Sequence, residues 1–139
     1  MTTYPLKLKL RIDWSEMDLY AHVNNVTYFK YIQAGRVNYW ETLGLNTLMD
    51  KYKQGPILAS TACNFRKPLF YPGNACIETG VESVGETSFT ILHRILNDAG
   101  EIAAEAKDIV VFYDFNTHTK IVIPEAIREK IAGVEKLSS

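Results

Sequence analysis

The chain has 139 residues, 47% of them hydrophobic and 22% charged, which suits one domain with a sizeable core and excludes a disordered chain. A net charge of −1 argues against a dedicated nucleic-acid or membrane-surface binder, whose contacts need clustered Lys and Arg. No apolar run reaches the ~20 residues that cross a bilayer, and residues 1–7 lack the apolar stretch of a secretory signal.

The expectation is therefore a cytoplasmic protein. Cys63 and Cys76 do not make a disulfide framework and read as reduced thiols. His22, His93 and His118 are too dispersed to suggest a metal cage.

Residues 6–14 read as a strand, with Leu8, Leu10 and Ile12 alternating against Lys7, Lys9 and Arg11. The loop 18–25 follows, Asp-Leu-Tyr-Ala-His-Val-Asn-Asn, which places a carboxylate, an imidazole and two amides close together. Asn24 or Asn25 suits the N-cap of the next element, because its side chain can accept from the free amides of a first helical turn. Over 26–43, Tyr28, Ile32, Gly35, Tyr39 and Leu43 recur at three- and four-residue steps, with Phe29 and Trp40 beside them. That spacing predicts a buried helix of about five turns, by the usual 3.6 residues per turn. Gly44 suits its C-terminal stop. Gly35 weakens the helix by up to ~1 kcal/mol, and close approach of a strand or another helix would compensate.

Strands are expected over 57–69, 75–84, 87–96 and 101–114, with turns at Tyr71-Pro72-Gly73-Asn74 and Asn97-Asp98-Ala99-Gly100. Phe89, Ile91, His93 and Ile95 should share one face of the third of these. In the fourth, Ile102, Ala104, Ala106, Val110 and Phe112 alternate against Glu105 and Lys107. A turn through His118 leads to a strand over 120–123. Pro124 then suits the first position of a short helix over 124–131. The order is strand, long helix, then antiparallel strands, which implies an α+β domain over 1–139 with one sheet wrapping one helix. Apolar residues on both strand faces, Leu92 and Leu96 opposite Ile91 and Ile95, predict a homo-oligomer, a homodimer or homotetramer.

From residue types alone, Asp18 reads as a turn residue making a local bond to its own backbone. The pattern as a whole carries more. The run 11–18, Arg-Ile-Asp-Trp-Ser-Glu-Met-Asp, followed by His22-Val23-Asn24-Asn25-Val26-Thr27-Tyr28, resembles the hotdog-fold acyl thioesterases of the 4-hydroxybenzoyl-CoA thioesterase-like family. The His-Val-Asn-Asn segment is also similar to the plant acyl-ACP thioesterases. The resemblance covers most of the chain and implies an antiparallel sheet around one central helix. It implies hydrolysis of an acyl-CoA or acyl-ACP thioester, with coenzyme A or the carrier protein entering as part of the substrate and no separate cofactor.

By position in that motif, Asp18 is the catalytic acid and Glu16 stands where the family usually has a structural Asp. The resemblance places the backbone N–H that polarises the thioester carbonyl at or beside Asn25. His22 matches a site histidine of the acyl-ACP branch, whose site Asn is replaced here by Tyr20. Gln33 occupies a position where the family often carries an acid.

Asp18 can deprotonate water or attack the carbonyl directly, and helix-start amides can hold the oxyanion. For His22, a hydrogen bond bracing the loop and a direct role in positioning water both remain open. Glu16 reads as a solvated or structural acid able to tune Asp18 by like-charge repulsion. Tyr20, Tyr28, Phe29 and Tyr31 read as packing residues, some of them lining an acyl pocket. Thr61 is a candidate pocket residue, and Arg66 and Lys67 are candidates for the phosphates of coenzyme A or an acidic carrier, with a solvated strand end as the alternative. Cys63 has no paired base in the sequence that would make it a nucleophile. The rival readings are a non-catalytic acyl-thioester-binding module of the same fold, and a hotdog dehydratase or hydratase, whose motif places its His and Asp differently.

Overall fold

The computed structural model describes residues 3–136. Strand β1 (Leu6–Arg11) leads through a 3-10 turn (Trp14–Glu16) and a loop into helix α1 (Asn25–Leu43), after which α2 (Leu45–Tyr52) turns the chain into the sheet. Strands β2 (Gln54–Phe65), β3 (Asn74–Val84), β4 (Ser88–Leu96) and β5 (Ile102–Asp114) follow, then the two-residue β6 (Thr119–Lys120) and the closing helix α3 (Glu125–Lys136). The strands form one antiparallel sheet in the order β1-β3-β4-β5-β2, with β6 beside β5.

Helix α1 packs against β1, β3 and β4. The three- and four-residue spacing of its apolar positions is what places Tyr28, Ile32, Gly35, Tyr39 and Leu43 on one face, and all five are buried, joined by Tyr31. The sheet answers with the buried face of β4, Phe89, Ile91, His93 and Ile95, as the alternation predicts, together with Ala75 and Ile77 of β3. Burying one such Ile or Phe side chain stabilises the fold by ~1.5–3 kcal/mol. Gly35 lies directly against β3 and β4. A Cβ there would lie 2.6 Å from Ile77 Cγ2 and 2.9 Å from Thr79 Oγ1, so the residue that weakens the helix is the one that lets β3 approach.

Asn24 is the N-cap and its side chain accepts from the Val26 N–H at 2.8 Å. Gly44 ends the helix in the left-handed region at φ 71°. Helix α2 was not expected. Its Leu45, Leu48 and Met49 fall at helical steps and its first residue is buried.

Several boundaries move. β1 stops at Arg11 rather than 14, because Asp13 caps the 3-10 turn. β2 begins at Gln54 and ends at Phe65 rather than 69, since the Arg66 and Lys67 N–H groups both turn to the Ala103 carbonyl. β6 is confined to Thr119–Lys120 rather than 120–123. Helix α3 starts at Glu125 and runs on to Lys136, burying Ile127, Ile131 and Val134. Pro124 precedes it, its carbonyl accepting from Ile127 and Arg128, instead of occupying the first helical position.

Candidate active site

The loop between the 3-10 turn and α1 is closed on itself by its own backbone. Met17 and Val23 form an antiparallel bridge. The Asp18 N–H donates to the His22 carbonyl at 2.8 Å, and Ala21 takes a left-handed φ of 62° to complete the turn. Two further bonds tie the loop to the body: Val23 N–H to the Leu69 carbonyl at 2.9 Å and Asn24 N–H to the Glu16 carbonyl at 2.8 Å.

Asp18 is held in this frame by one oxygen. Its Oδ1 accepts from the N–H groups of Tyr20 at 2.8 Å and His22 at 3.2 Å. Its Oδ2 accepts from no group among the described residues. The side chain is exposed and lines a cavity of about 390 Å³ shared with His22, Val23, Asn25, Tyr28 and Phe65 and with Arg66, Lys67 and Pro68. One oxygen is engaged by the turn and the other is not.

Asn25 opens α1, and its backbone N–H has no acceptor among the described residues. It lies at the positive end of the helix dipole, where an anion is stabilised. The Asn24 side chain serves Val26, so capping satisfies the next amide and leaves this one without an acceptor among the described residues.

His22 enters the frame through its backbone, not its ring. The imidazole makes no hydrogen bond among the described residues and packs edge-on against Phe70, with centroids 5.2 Å apart. A bracing hydrogen bond from the ring is therefore not what holds the loop. Tyr20 is exposed rather than packed. The buried Tyr28 hydroxyl donates to the Lys67 carbonyl and accepts from the Leu69 N–H, each at 3.0 Å, and so fixes the 67–69 segment that walls the cavity. Phe65 stands edge-on to Tyr28 at 5.1 Å. Tyr28, Phe65 and Pro68 line the same cavity; Phe65 and Pro68 were not singled out from the sequence.

Arg66 and Lys67 reach the cavity rim half-exposed, paired with Glu105 at 3.2 Å and with Glu101 respectively. Thr61 does not join this cavity. It lies in a second one, of about 380 Å³, with Val26, Phe29, Lys30, Gln33, Arg36 and Leu58. Its hydroxyl donates to Asp108 Oδ1 at 2.7 Å.

Glu16 is structural. It is buried and accepts from the Asp13 N–H, the Tyr31 hydroxyl and the Lys30 ammonium. Burial pushes its pKa upward, but those three donors outweigh burial and hold the carboxyl below its ordinary range. Burial, then the nearby Asp108 charge, push the Cys63 thiol up to about 11, away from the thiolate a nucleophile needs. Both cysteines are free thiols. Among the described residues no helix is long and apolar enough to cross a membrane.

The fold is the hotdog arrangement, a curled antiparallel sheet around a long helix. Residues 12–131 match the thioesterase-like superfamily, and the chain belongs to that superfamily. It is 20% identical over 132 residues to the long-chain acyl-CoA thioesterase FadM of Escherichia coli, a match covering 94% of this chain and 100% of that one. It is 28% identical over 127 residues to a chloroplastic acyl-acyl carrier protein thioesterase of Arabidopsis thaliana, covering 89% of this chain and 66% of the relative. Among solved structures, a thioesterase of Thermus thermophilus complexed with coenzyme A and Zn superposes with a TM-score of 0.85 at 21% identity, over 96% of each chain. At that identity the likeness is one of fold.

Proposed function

We propose that this chain hydrolyses an acyl-CoA or acyl-ACP thioester to the free acid and thiol. The observation that carries the reading is that Asp18, whose Oδ2 accepts from no group among the described residues, and Asn25, whose N–H has no acceptor among them, line one cavity.

In this reading the thioester carbonyl oxygen sits against the Asn25 N–H. Asp18 Oδ2 takes a proton from water as the oxygen of that water bonds to the carbonyl carbon. The oxyanion forms at the positive end of α1, where one such donor is worth ~3–4 kcal/mol of barrier. Collapse of the tetrahedral intermediate breaks the C–S bond, and the thiolate recovers the proton from Asp18. The exposure of Asp18 favours water as the attacking group, since the carboxylate is already solvated. His22 shapes the loop through its backbone, and Arg66 and Lys67 at the rim suit the phosphates of coenzyme A or an acidic carrier surface.

The assembly fits the same reading. Strand β2 pairs with β5 on one side, and its other edge, twelve residues long, has no strand partner among the described residues. Such an edge is a template for a second chain. A homodimer formed there, or a homotetramer built from it, brings a second copy beside the site.

The test is thiol release from a panel of acyl-CoA and acyl-ACP thioesters, with light scattering to give the mass in solution. Turnover of at least one thioester by an oligomer is expected. Failure to turn over any of them, with binding retained, identifies a non-catalytic acyl-thioester-binding module.

A further inference from the structure

The second cavity begins where the active site ends. Val26, Phe29, Lys30, Gln33 and Arg36 lie at helical steps on one face of α1, starting one residue after Asn25. The face runs roughly 16 Å from Asn25 to Arg36 at 1.5 Å per residue, and an Arg side chain on a helix leans back toward the N-terminus. Leu58 and Thr61 of β2 form the opposite wall. Phe65 lines the first cavity, Phe29 lines the second, and the two rings meet edge-on at 6.2 Å. The lining mixes the apolar Val26, Phe29 and Leu58 with Lys30, Gln33, Arg36 and Thr61.

Arg36 is held from below. Its Nη1 donates to Asp108 Oδ2 at 2.7 Å, and its side chain is 13% exposed. Asp108 is fully buried on β5 and also accepts from His93 Nε2 at 2.7 Å and the Thr61 hydroxyl at 2.7 Å. His93 Nδ1 in turn meets the Thr79 hydroxyl at 2.9 Å. Burial alone would raise the Asp108 pKa, but the His93, Thr61 and Arg36 contacts outweigh it and hold the carboxyl below its ordinary range. A buried carboxylate thus fixes one corner of a guanidinium. A guanidinium carries five N–H donors in a rigid fork, and among the described residues Nη1 alone is engaged. The Gln33 amide, one turn earlier, makes no hydrogen bond among the described residues.

We propose that this groove takes the acyl chain, and that Arg36, aided by Gln33, binds a carboxylate at its far end, so that the substrates are thioesters of medium-length dicarboxylic acids. The inference rests on the thioesterase reading and names its substrate class. The free Nε–Nη2 edge matches a carboxylate in two parallel hydrogen bonds.

Thiol release from suberoyl-CoA is compared with release from octanoyl-CoA, which has the same chain length and ends in a methyl group. The parent is expected to favour suberoyl-CoA by about tenfold or more in kcat/KM, chiefly through KM, a ratio within reach of charge-assisted contacts. Arg36→Met should erase the preference, Arg36→Lys should retain part of it, and Gln33→Leu should reduce it. Gln33 is exposed, so that variant reports even if Arg36→Met does not fold. A parent that favours octanoyl-CoA, or a preference unchanged in the variants, overturns the proposal. Calorimetry with free suberate and octanoate reads the groove without turnover. Arg36-dependent binding of suberate with no thiol release from any ester sinks the hydrolase and leaves the groove. Hydrolysis of methyl-ended esters with no suberate binding does the reverse.

Discussion

The Tyr31 hydroxyl donates to Glu16 Oε1 at 2.7 Å, which ties the middle of α1 to the turn that leads into the Asp18 loop. The same Glu16 oxygen accepts from the Asp13 N–H at 2.9 Å, and the Glu16 carbonyl accepts from Asn24. One buried acid therefore holds the start of the loop and, through Asn24, its end.

Tyr31→Phe leaves that acid short of a partner. The expected cost is ~1–3 kcal/mol in urea unfolding, with a smaller fall in kcat as the loop loosens. The pH dependence has a definite sign. The folded-state pKa of Glu16 lies below its ordinary value, so its stabilisation is complete above the unfolded pKa and is lost as pH falls through the folded one. Removing the Tyr31 donor raises the folded pKa, which reduces this contribution and moves the acid limb of the stability curve to higher pH. An acid limb unchanged in Tyr31→Phe would show that Asp13 and Lys30 suffice.

Asp18→Asn separates the two jobs of Asp18. An Asn side chain keeps an oxygen that can accept from Tyr20 and His22, so the turn should survive and the melting temperature should barely move for this exposed residue. It cannot take a proton from water. The expected loss in kcat is ~10²–10⁴-fold, the usual weight of general-base catalysis, with little change in KM. Parent-level hydrolysis in a folded Asp18→Asn protein sinks the mechanism and returns Asp18 to a turn residue.

Arg66→Ala combined with Lys67→Ala tests the thiol side of the substrate. Both side chains are about half-exposed and each faces a glutamate, so little stability is at stake. KM for a CoA thioester should rise several-fold at low salt and converge with the parent at high salt, because exposed charge contacts are screened. KM for the same acyl group on a short thiol lacking phosphates should not change. An equal rise for both esters would assign the pair to the fold rather than to phosphate contact.

The sequence carried these features unequally. The face of α1 was legible because Tyr28, Ile32, Gly35, Tyr39 and Leu43 repeat at helical steps, and the same steps bury them. The loop was legible as a motif, but which Asn caps and which amide stays free depends on backbone angles that residue types do not set. Helix α2 carried its own signal in Leu45, Leu48 and Met49, and it lies in a stretch for which no element was expected. Asp108 was passed over. It shares the even-numbered face of β5 with Ala104, Ala106, Val110 and Phe112, so the alternation already turns it inward; what residue types do not show is its partners, Arg36, 72 residues away in sequence, and His93, 15 away. Thr61 lines the second cavity and not the one at the Asp18 loop, because β2 carries its side chain to Asp108.

Gly35→Ala tests the close contact between α1 and β3. On helix propensity alone Ala should stabilise α1 by ~1 kcal/mol. Its Cβ, however, would stand 2.6 Å from Ile77 Cγ2, 2.9 Å from Thr79 Oγ1 and 3.3 Å from His93 Nδ1. Ile77 is fully buried and the Thr79 hydroxyl is engaged with His93, so neither can move without disturbing the sheet or the Asp108 network. Overpacking of this kind costs ~1–3 kcal/mol, and part of it should appear as a weakened hold on Arg36. The expected result is net destabilisation in urea unfolding, with the propensity gain submerged. A Gly35→Ala protein as stable as the parent would mean that β3 withdraws freely from the helix, and that Gly35 is not what sets their separation.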